Sequence, residues 1–386
     1  MSSQIHCTPI AALQPNDIAR WQRLAEHALE ANPFQQPDFV LPLLRHCGSS
    51  HRADILYVTE SNSTDWRAAC VVSQLPPTLS RPLRRLRSFR PLHAYLDQPL
   101  IDRNSSGAAA EGLLRGLLDN RLGHALRLNV TRLDGPVQQT LQHAGRQVNA
   151  ARVLDREWRR AAYSRKNLNH DPLAHCSKSR RKSLRRSWRR LEERGQVKFR
   201  LVRPATGQDL SVERFLSLEH SGWGGMQGTS LLGLPQDAQF FREMCHAFAQ
   251  RNQVAIGELY VGGNPIASTF NLVLDETAFA FKIGWNNQFA DGSPGMWSEL
   301  LLPAEVFRQF PQVQRIDGCS QSGSHIESLW PDSDRLGNVV YAWSRTARYL
   351  SRVRRTWHYC RRTASTGLST LLKGNALASA SQLPQS

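Results

Sequence analysis

Asn287-Gln-Phe-Ala-Asp-Gly-Ser-Pro-Gly-Met-Trp-Ser-Glu-Leu-Leu-Leu-Pro-Ala-Glu-Val-Phe307 is the stretch on which the reading of this chain turns. The run before it, Thr277–Trp285, is apolar at nearly every position and reads as a buried β-strand. The stretch itself leads into a helix over 296–310. A turn between strand and helix leaves the first helical N–H groups unpaired beneath the positive end of the helix dipole. That geometry suits a phosphate or pyrophosphate, with Gly295 allowing close backbone approach. The turn reads as part of an antiparallel meander and not of a βαβ unit with a full dinucleotide fingerprint. The reading therefore favours a coenzyme A pyrophosphate, held by Gly292, Ser293, Pro294, Gly295 and Met296. A plain strand-to-helix connection is the competing reading.

Outward from this segment, the chain repeats itself in outline. Residues 17–30 and 37–46 read as helices, followed by a hairpin of 55–59 and 68–75 around Ser-Asn-Ser-Thr-Asp. In the second half, 211–220 and 236–250 read as helices. Strands 254–261 and 265–274 then flank Gly262-Gly263-Asn264, a strong hairpin signal. Asp102-Arg-Asn-Ser-Ser-Gly107 leads into a helix over 108–118 and a strand closing at Asp134-Gly135. Ala290-Asp-Gly-Ser-Pro-Gly295 leads likewise into the helix over 296–310 and a strand closing at Asp317-Gly318. The expected fold is α+β, with two tandem lobes of mostly antiparallel sheet flanked by helices and meeting along a groove. The lobes are expected at 1–150 and 151–345, with a basic tail at 346–386.

The formal charge is +17 on 386 residues. Residues 178–200 carry a net of +9 and residues 345–386 a net of +8, so the rest is neutral. That localisation disfavours a dedicated nucleic-acid protein, which spreads its basic face over the fold. Residues 178–194 read as a basic helix ended by Gly195, placed at the junction of the lobes. Leu184, Trp188 and Leu191 form its apolar stripe. Its cations either are simply solvated or face a polyanion. The tail mixes arginines with aromatics, which suits an anionic membrane surface or a packed helix with a disordered end.

Seven cysteines stand singly, and the histidines lack ligand spacing, so a reducing cytoplasm is expected and no metal site. No apolar run is long enough to span a membrane. Localisation is expected to be cytoplasmic, with the inner membrane surface as a peripheral site. No Gly-x-Ser-x-Gly elbow is present, so serine hydrolase chemistry has no support.

With these parts assembled, residues 160–345 resemble the GNAT acyltransferase superfamily. The nearest branch is the CelD-like acetyltransferases associated with cellulose and exopolysaccharide synthesis. The resemblance is carried by the basic helix from Ser179 to Gly195, by Phe215-Leu-Ser-Leu-Glu-His-Ser-Gly-Trp-Gly-Gly-Met-Gln-Gly-Thr-Ser230, and by Gly263-Asn-Pro-Ile-Ala-Ser268. Gly284-Trp-Asn, Ser293-Pro-Gly and Ile316-Asp317-Gly318 complete it. Fem-type aminoacyl transferases share the tandem-lobe plan. The chain departs from the branch at Gly224, where a lysine often follows the tryptophan, and at Ser324-His325-Ile326-Glu327, where another is common.

The resemblance implies direct transfer from acetyl-CoA or another acyl-CoA to a saccharide, cell-envelope or lipid-linked acceptor. A Fem-type transferase using aminoacyl-tRNA and a non-catalytic scaffold are the alternatives. Transfer needs a base for the acceptor, backbone donors for the oxyanion and a proton for the leaving thiolate. Glu219 and His220 are the candidate bases, since imidazole titrates near neutrality. Asp317 and His325 flank the final strand as orienting groups or, for Asp317, as a turn residue. Trp223 and Trp285 are candidate stacking surfaces for an acceptor. Trp297 reads as core.

Overall fold

The computed structural model describes residues 3–48, 53–75, 83–120, 122–222, 230–346 and 349. The first half contains β1 (Ser3–Pro9), α1 (Pro15–Glu26), α2 (Pro37–Cys47), β2 (Asp54–Glu60), β3 (Trp66–Leu75) and β4 (Arg85–Ser88). There follow β5 (Leu100–Ile101), α3 (Ser106–Asp119), β6 (Ala125–Arg132), α4 (Pro136–Gln147) and β7 (Ala151–Ser164). The second half runs α5 (Lys178–Glu192), β8 (Val197–Val202), α6 (Leu210–Ser221), α7 (Pro235–Ala249), β9 (Val254–Val261), β10 (Asn264–Leu274) and β11 (Thr277–Trp285). It closes with α8 (Pro294–Gln309), β12 (Arg315–Asp317) and β13 (Asp332–Ala342).

All strands join one mixed sheet in the order β1-β2-β3-β4-β6-β13-β7-β12-β11-β10-β9-β8, with β5 on β3. Counted inward from the two edges, the order is palindromic: β1 matches β8, β2 matches β9, β3 matches β10, β4 matches β11, and β6 matches β12. The two central strands are exchanged. β7, from the first half, pairs with β12, whereas β13, from the second, pairs with β6. β13 and β7 pair with each other along eleven residues of β13. The duplicated order read from the sequence is therefore present, but the halves share a sheet and do not merely meet along a groove.

The halves also share a core. On one face, Phe34, Phe39 and Leu43 of the first half pack with Phe215, Phe240, Phe241, Phe270 and Phe279 of the second, all at 2% exposure or less. Burying each such side chain contributes about 1.5–3 kcal/mol. Ion pairs rim this contact, among them Arg103 to Asp275 at 2.6 Å and Arg251 to Glu26 at 2.8 Å. Separate apolar layers lie under α3 and α4 and under α5 and α8.

Three local expectations need correction. α1 ends at Glu26 and not at residue 30, because Ala28 leaves the helix to bridge Asp102. β11 and β12 are parallel, Thr277 to Phe279 beside Arg315 to Asp317, so β11-α8-β12 is a βαβ crossover and not part of a meander. The basic helix α5 does not sit at the junction. Leu184 and Leu191 are buried, the Trp188 ring lies 4.5 Å from that of Trp297, and Ser187 accepts from Trp297 Nε1 at 3.1 Å. Its apolar stripe thus docks on α8, as a helix with one apolar face requires.

Candidate active site

β11 and β12 stay paired for only three residues. Past Asp317 the chain turns away through Gly318, whose N–H reaches Ala161 O at 3.0 Å, and Cys319, at a φ of 45°. β11 runs on to Trp285, so beyond Phe279 its β12-facing edge carries no strand. Just there the register with β10 jumps: Asn271 faces Ala280 and Phe270 faces Lys282, leaving Phe281 as a bulge. Bulges re-aim backbone and side chains and are common beside active sites. The result is a cleft that opens where two parallel strands part.

The turn of residues 287–293 stands at the mouth of that cleft. Gly292 is buried where any β-carbon would lie 2.2 Å from Leu191 Cδ2, so α5 presses on the turn here. Ser293, with φ 52° and ψ 49°, takes the left-handed conformation, which a non-glycine residue adopts at a cost. Gly295 does not need a positive φ; its role is space, since a β-carbon there would lie 3.1 Å from Trp285 Cε3. The first helical bond is Trp297 N–H to Ser293 O at 3.2 Å, and no side chain caps the helix. The N–H groups of Gly295 and Met296 therefore point out of the first turn, where an anion is stabilised. Arg194 braces the turn, donating to Gln288 O at 2.7 Å and to both Asp291 carboxylate oxygens at 3.0 Å.

The end of α6 forms another wall. Gly284 of β11 lies against it so closely that a β-carbon would meet Glu219 N at 2.2 Å. Glu219, 3% exposed, accepts from Lys282 Nζ at 3.2 Å and from Leu231 N–H at 2.9 Å. Its neighbour His220 reaches the surface, with Nδ1 2.8 Å from Ser230 Oγ. With Nδ1–H donating to that hydroxyl, Nε2 keeps a free lone pair for a proton. Glu219 and His220 thus hold the same short segment, Ser230-Leu231, from two sides.

Asp317 and His325 make no hydrogen bond to either of them among the described residues. Asp317 is 1% exposed, with Arg160 Nη1 at 3.4 Å, and accepts from Cys319 N–H at 2.8 Å. Burial alone would raise its pKa, but the Arg160 and Arg315 guanidiniums more than offset that and hold the carboxyl below its ordinary range. His325 starts a single turn, His325–Ser328, beside α5, where burial and Arg180 push its imidazole below the usual value. Trp285 lies under Gly295 as the floor of the turn. Trp223 and Gly224 lie outside the described residues, as does most of the tail. Trp297 is in the core, 5% exposed. Sequence reasoning missed Lys282, although a lysine within Thr-Ala-Phe-Ala-Phe-Lys-Ile-Gly-Trp signals a buried partner.

The matching place in the first half is closed. β4 and β6 also run parallel, for two residues. Past them Asp97 fills the gap: its N–H bonds Val130 O at 2.9 Å, its carboxylate accepts from Val130 N–H, and Ser88 Oγ donates to it at 2.8 Å. At the start of α3, the Asp102 carboxylate, paired with Arg67 at 3.0 Å, accepts from Asn104 N–H at 3.2 Å and Ser105 Oγ at 3.1 Å, so these donors are already taken. Among the described residues, no side chain is seen to bridge the parting of β11 and β12 as Asp97 bridges that of β4 and β6.

The acetyltransferase (GNAT) domain family matches residues 178–308, so that stretch carries a GNAT acetyltransferase domain. FemX is similar in structure, with a TM-score of 0.54 at 10% identity over 89% of this chain and 97% of that one. A conserved protein of unknown function from Bacteroides thetaiotaomicron gives 0.53 at 13% identity over 86% and 98%. The C-terminal domain of a candidate lysylphosphatidylglycerol synthetase from Agrobacterium fabrum gives 0.52 at 11% over 88% and 96%. At such identities the likeness is one of fold. No curated protein matches the chain.

Proposed function

We propose that the lobe of residues 151–345 is an acyl-CoA-dependent N- or O-acyltransferase, acting on a saccharide or lipid-linked acceptor of the cell envelope. The single observation behind this reading is the open β11–β12 cleft ending at the uncapped start of α8. Gly292 to Met296 would hold the pyrophosphate, and the thioester arm would run into the cleft. His220 Nε2 takes the acceptor proton, and Glu219 with Lys282 fixes the end of α6 on which His220 rides. The lobe of residues 1–150 supports this site, its own cleft being closed. Carriers of the donor or acceptor meet α5, where Lys178, Arg180, Arg181, Lys182, Arg185, Arg186 and Arg189 have no carboxylate partner among the described residues. The tail of 346–386 adds to that cationic surface, and a reducing compartment facing the membrane suits both. An aminoacyl-tRNA donor is the second reading, favoured by the same row of cations.

Calorimetry with acetyl-CoA, longer acyl-CoA and tRNA separates the two donors. Gly295→Val crowds Trp285 and shields the first-turn N–H groups, so CoA affinity falls about tenfold, or ~1.4 kcal/mol, with the fold kept. Unchanged affinity would remove the phosphate site from this turn. His220→Ala lowers kcat about a hundredfold while the CoA Kd stays within twofold. A kcat equal to that of the parent would end the role of His220.

A further inference from the structure

The segment that closes the first half's cleft continues into the second half's site. Residues 89–99 connect β4 to β5, and Asp97 in that connection is the plug described above. Two residues earlier, Tyr95 reaches across the molecule. Its ring stands edge-on to Phe281, the bulged residue of β11, with centroids 5.6 Å apart, and edge-on to Phe34 at 5.7 Å. Its carbonyl accepts from Arg160 Nη2 at 2.7 Å, which ties this part of the connection to the Arg160–Asp317 pair at the end of β12. The groups that act electrostatically on the phenol are Cys319, Arg160, Glu219 and Arg90. Two of these, Cys319 and Glu219, belong to opposite walls of the cleft. The residue is only partly buried, and its hydroxyl makes no hydrogen bond among the described residues.

A phenol whose ring centroid lies 5.6 Å from that of the bulged Phe281, and whose O–H makes no hydrogen bond among the described residues, can donate to a group that enters there. We infer that Tyr95, from the first half, is a catalytic residue of the second half's site, its hydroxyl donating a hydrogen bond to the thioester oxygen as charge develops. The inference rests on the acyl-transfer reading above. In that step the acceptor oxygen or nitrogen bonds to the thioester carbon, and the carbonyl electron pair moves onto oxygen, where Tyr95 O–H meets it. The acceptor proton passes to His220 Nε2. Collapse re-forms the carbonyl and breaks the C–S bond, and the departing thiolate takes the proton back from the imidazolium. Burial raises the phenol pKa, so the hydroxyl stays protonated throughout and acts as a fixed donor. A donor of this kind contributes roughly 10²–10³ in kcat in other acyl-transfer sites.

The test uses the full-length protein, with thiol release from acetyl-CoA as readout and calorimetry of CoA alongside. Tyr95→Phe keeps the ring against Phe281 and removes only the hydroxyl. The expected result is a 30- to 100-fold fall in kcat, with the CoA Kd and melting temperature near the parent's. The fall is equal at every pH from 6 to 9, because Tyr95 does not titrate there. Leu92→Ala, at an exposed position of the same connection, leaves both quantities unchanged. A Tyr95→Phe kcat within twofold of an active parent overturns the role of Tyr95 and leaves acyl transfer standing. A parent that neither binds CoA nor releases thiol overturns both.

Discussion

Arg160→Met destabilises the fold by about 3–5 kcal/mol, the loss that follows when one partner of a buried ion pair is removed. Arg160 on β7 and Asp317 on β12 are 3% and 1% exposed, so neither can turn to water when the other is lost. The guanidinium also donates to Ser320 O at 3.2 Å and Tyr95 O at 2.7 Å, joining three segments that are distant in the chain. Methionine fills much of the volume but leaves the Asp317 carboxylate with Cys319 N–H as its direct donor. Adding Asp317→Leu should recover most of the loss, because the desolvated charge is gone. The pH dependence has a definite sign. The Asp317 pKa is depressed in the fold, so the pair's contribution is complete above the ordinary carboxyl value of about 3.9 and disappears as pH falls through the depressed value. Urea titrations of the parent, the single and the double variant decide the matter. A single variant within 1 kcal/mol of the parent would show that the pair holds nothing together.

Glu299→Gln works in the opposite direction. Glu299 lies on α8, 5% exposed, and its Oε2 has no hydrogen-bond partner among the described residues. Burial pushes its pKa up to about 8, against roughly 4.3 in an unfolded chain. Between those values the folded protein keeps a proton that the unfolded chain releases. The stabilising contribution is therefore whole below about pH 4.3 and is lost as pH rises toward 8, at up to ~1.4 kcal/mol per unit. Over the full window this amounts to about 5 kcal/mol. Glutamine carries no such proton, so the variant should gain on the parent as pH rises from 5, the gain levelling off above about 8. Melting curves at four pH values test this, and parallel stability–pH profiles for the two proteins would refute it.

Much of this structure was legible where the controlling interactions are local. The Gly262-Gly263 hairpin, with φ of 56° and 84°, follows from glycine's freedom in the left-handed region. The stripe of Leu184, Trp188 and Leu191 announces which face of α5 packs, although not that α8 receives it. The strand-to-helix turn before α8 was legible, but its strained residue is Ser293 and its glycines serve close packing. Pairings between distant segments were not legible. Arg160 and Asp317 are 157 residues apart, and β12 is three residues long, too short for any periodicity to reveal its parallel partner. His220 could be proposed as a base from its chemistry, whereas Tyr95 has no local signature; only the path of residues 89–99 brings its ring against Phe281.

The exchange of the two central strands bears on how such a chain is made and how it arose. On the ribosome, β6 must wait for its neighbour until residues 332–342 emerge, some two hundred positions later, so the first half is born with a raw hydrogen-bonding edge. Loss of residues 332–342 would thus injure the first half of the protein. The arrangement is also what results when two copies of a dimer that had traded their last strands are fused into one reading frame. In such a lineage the partnership came before the single chain. One copy could then lose its cleft without loss of the fold, because its final strand was already serving the other.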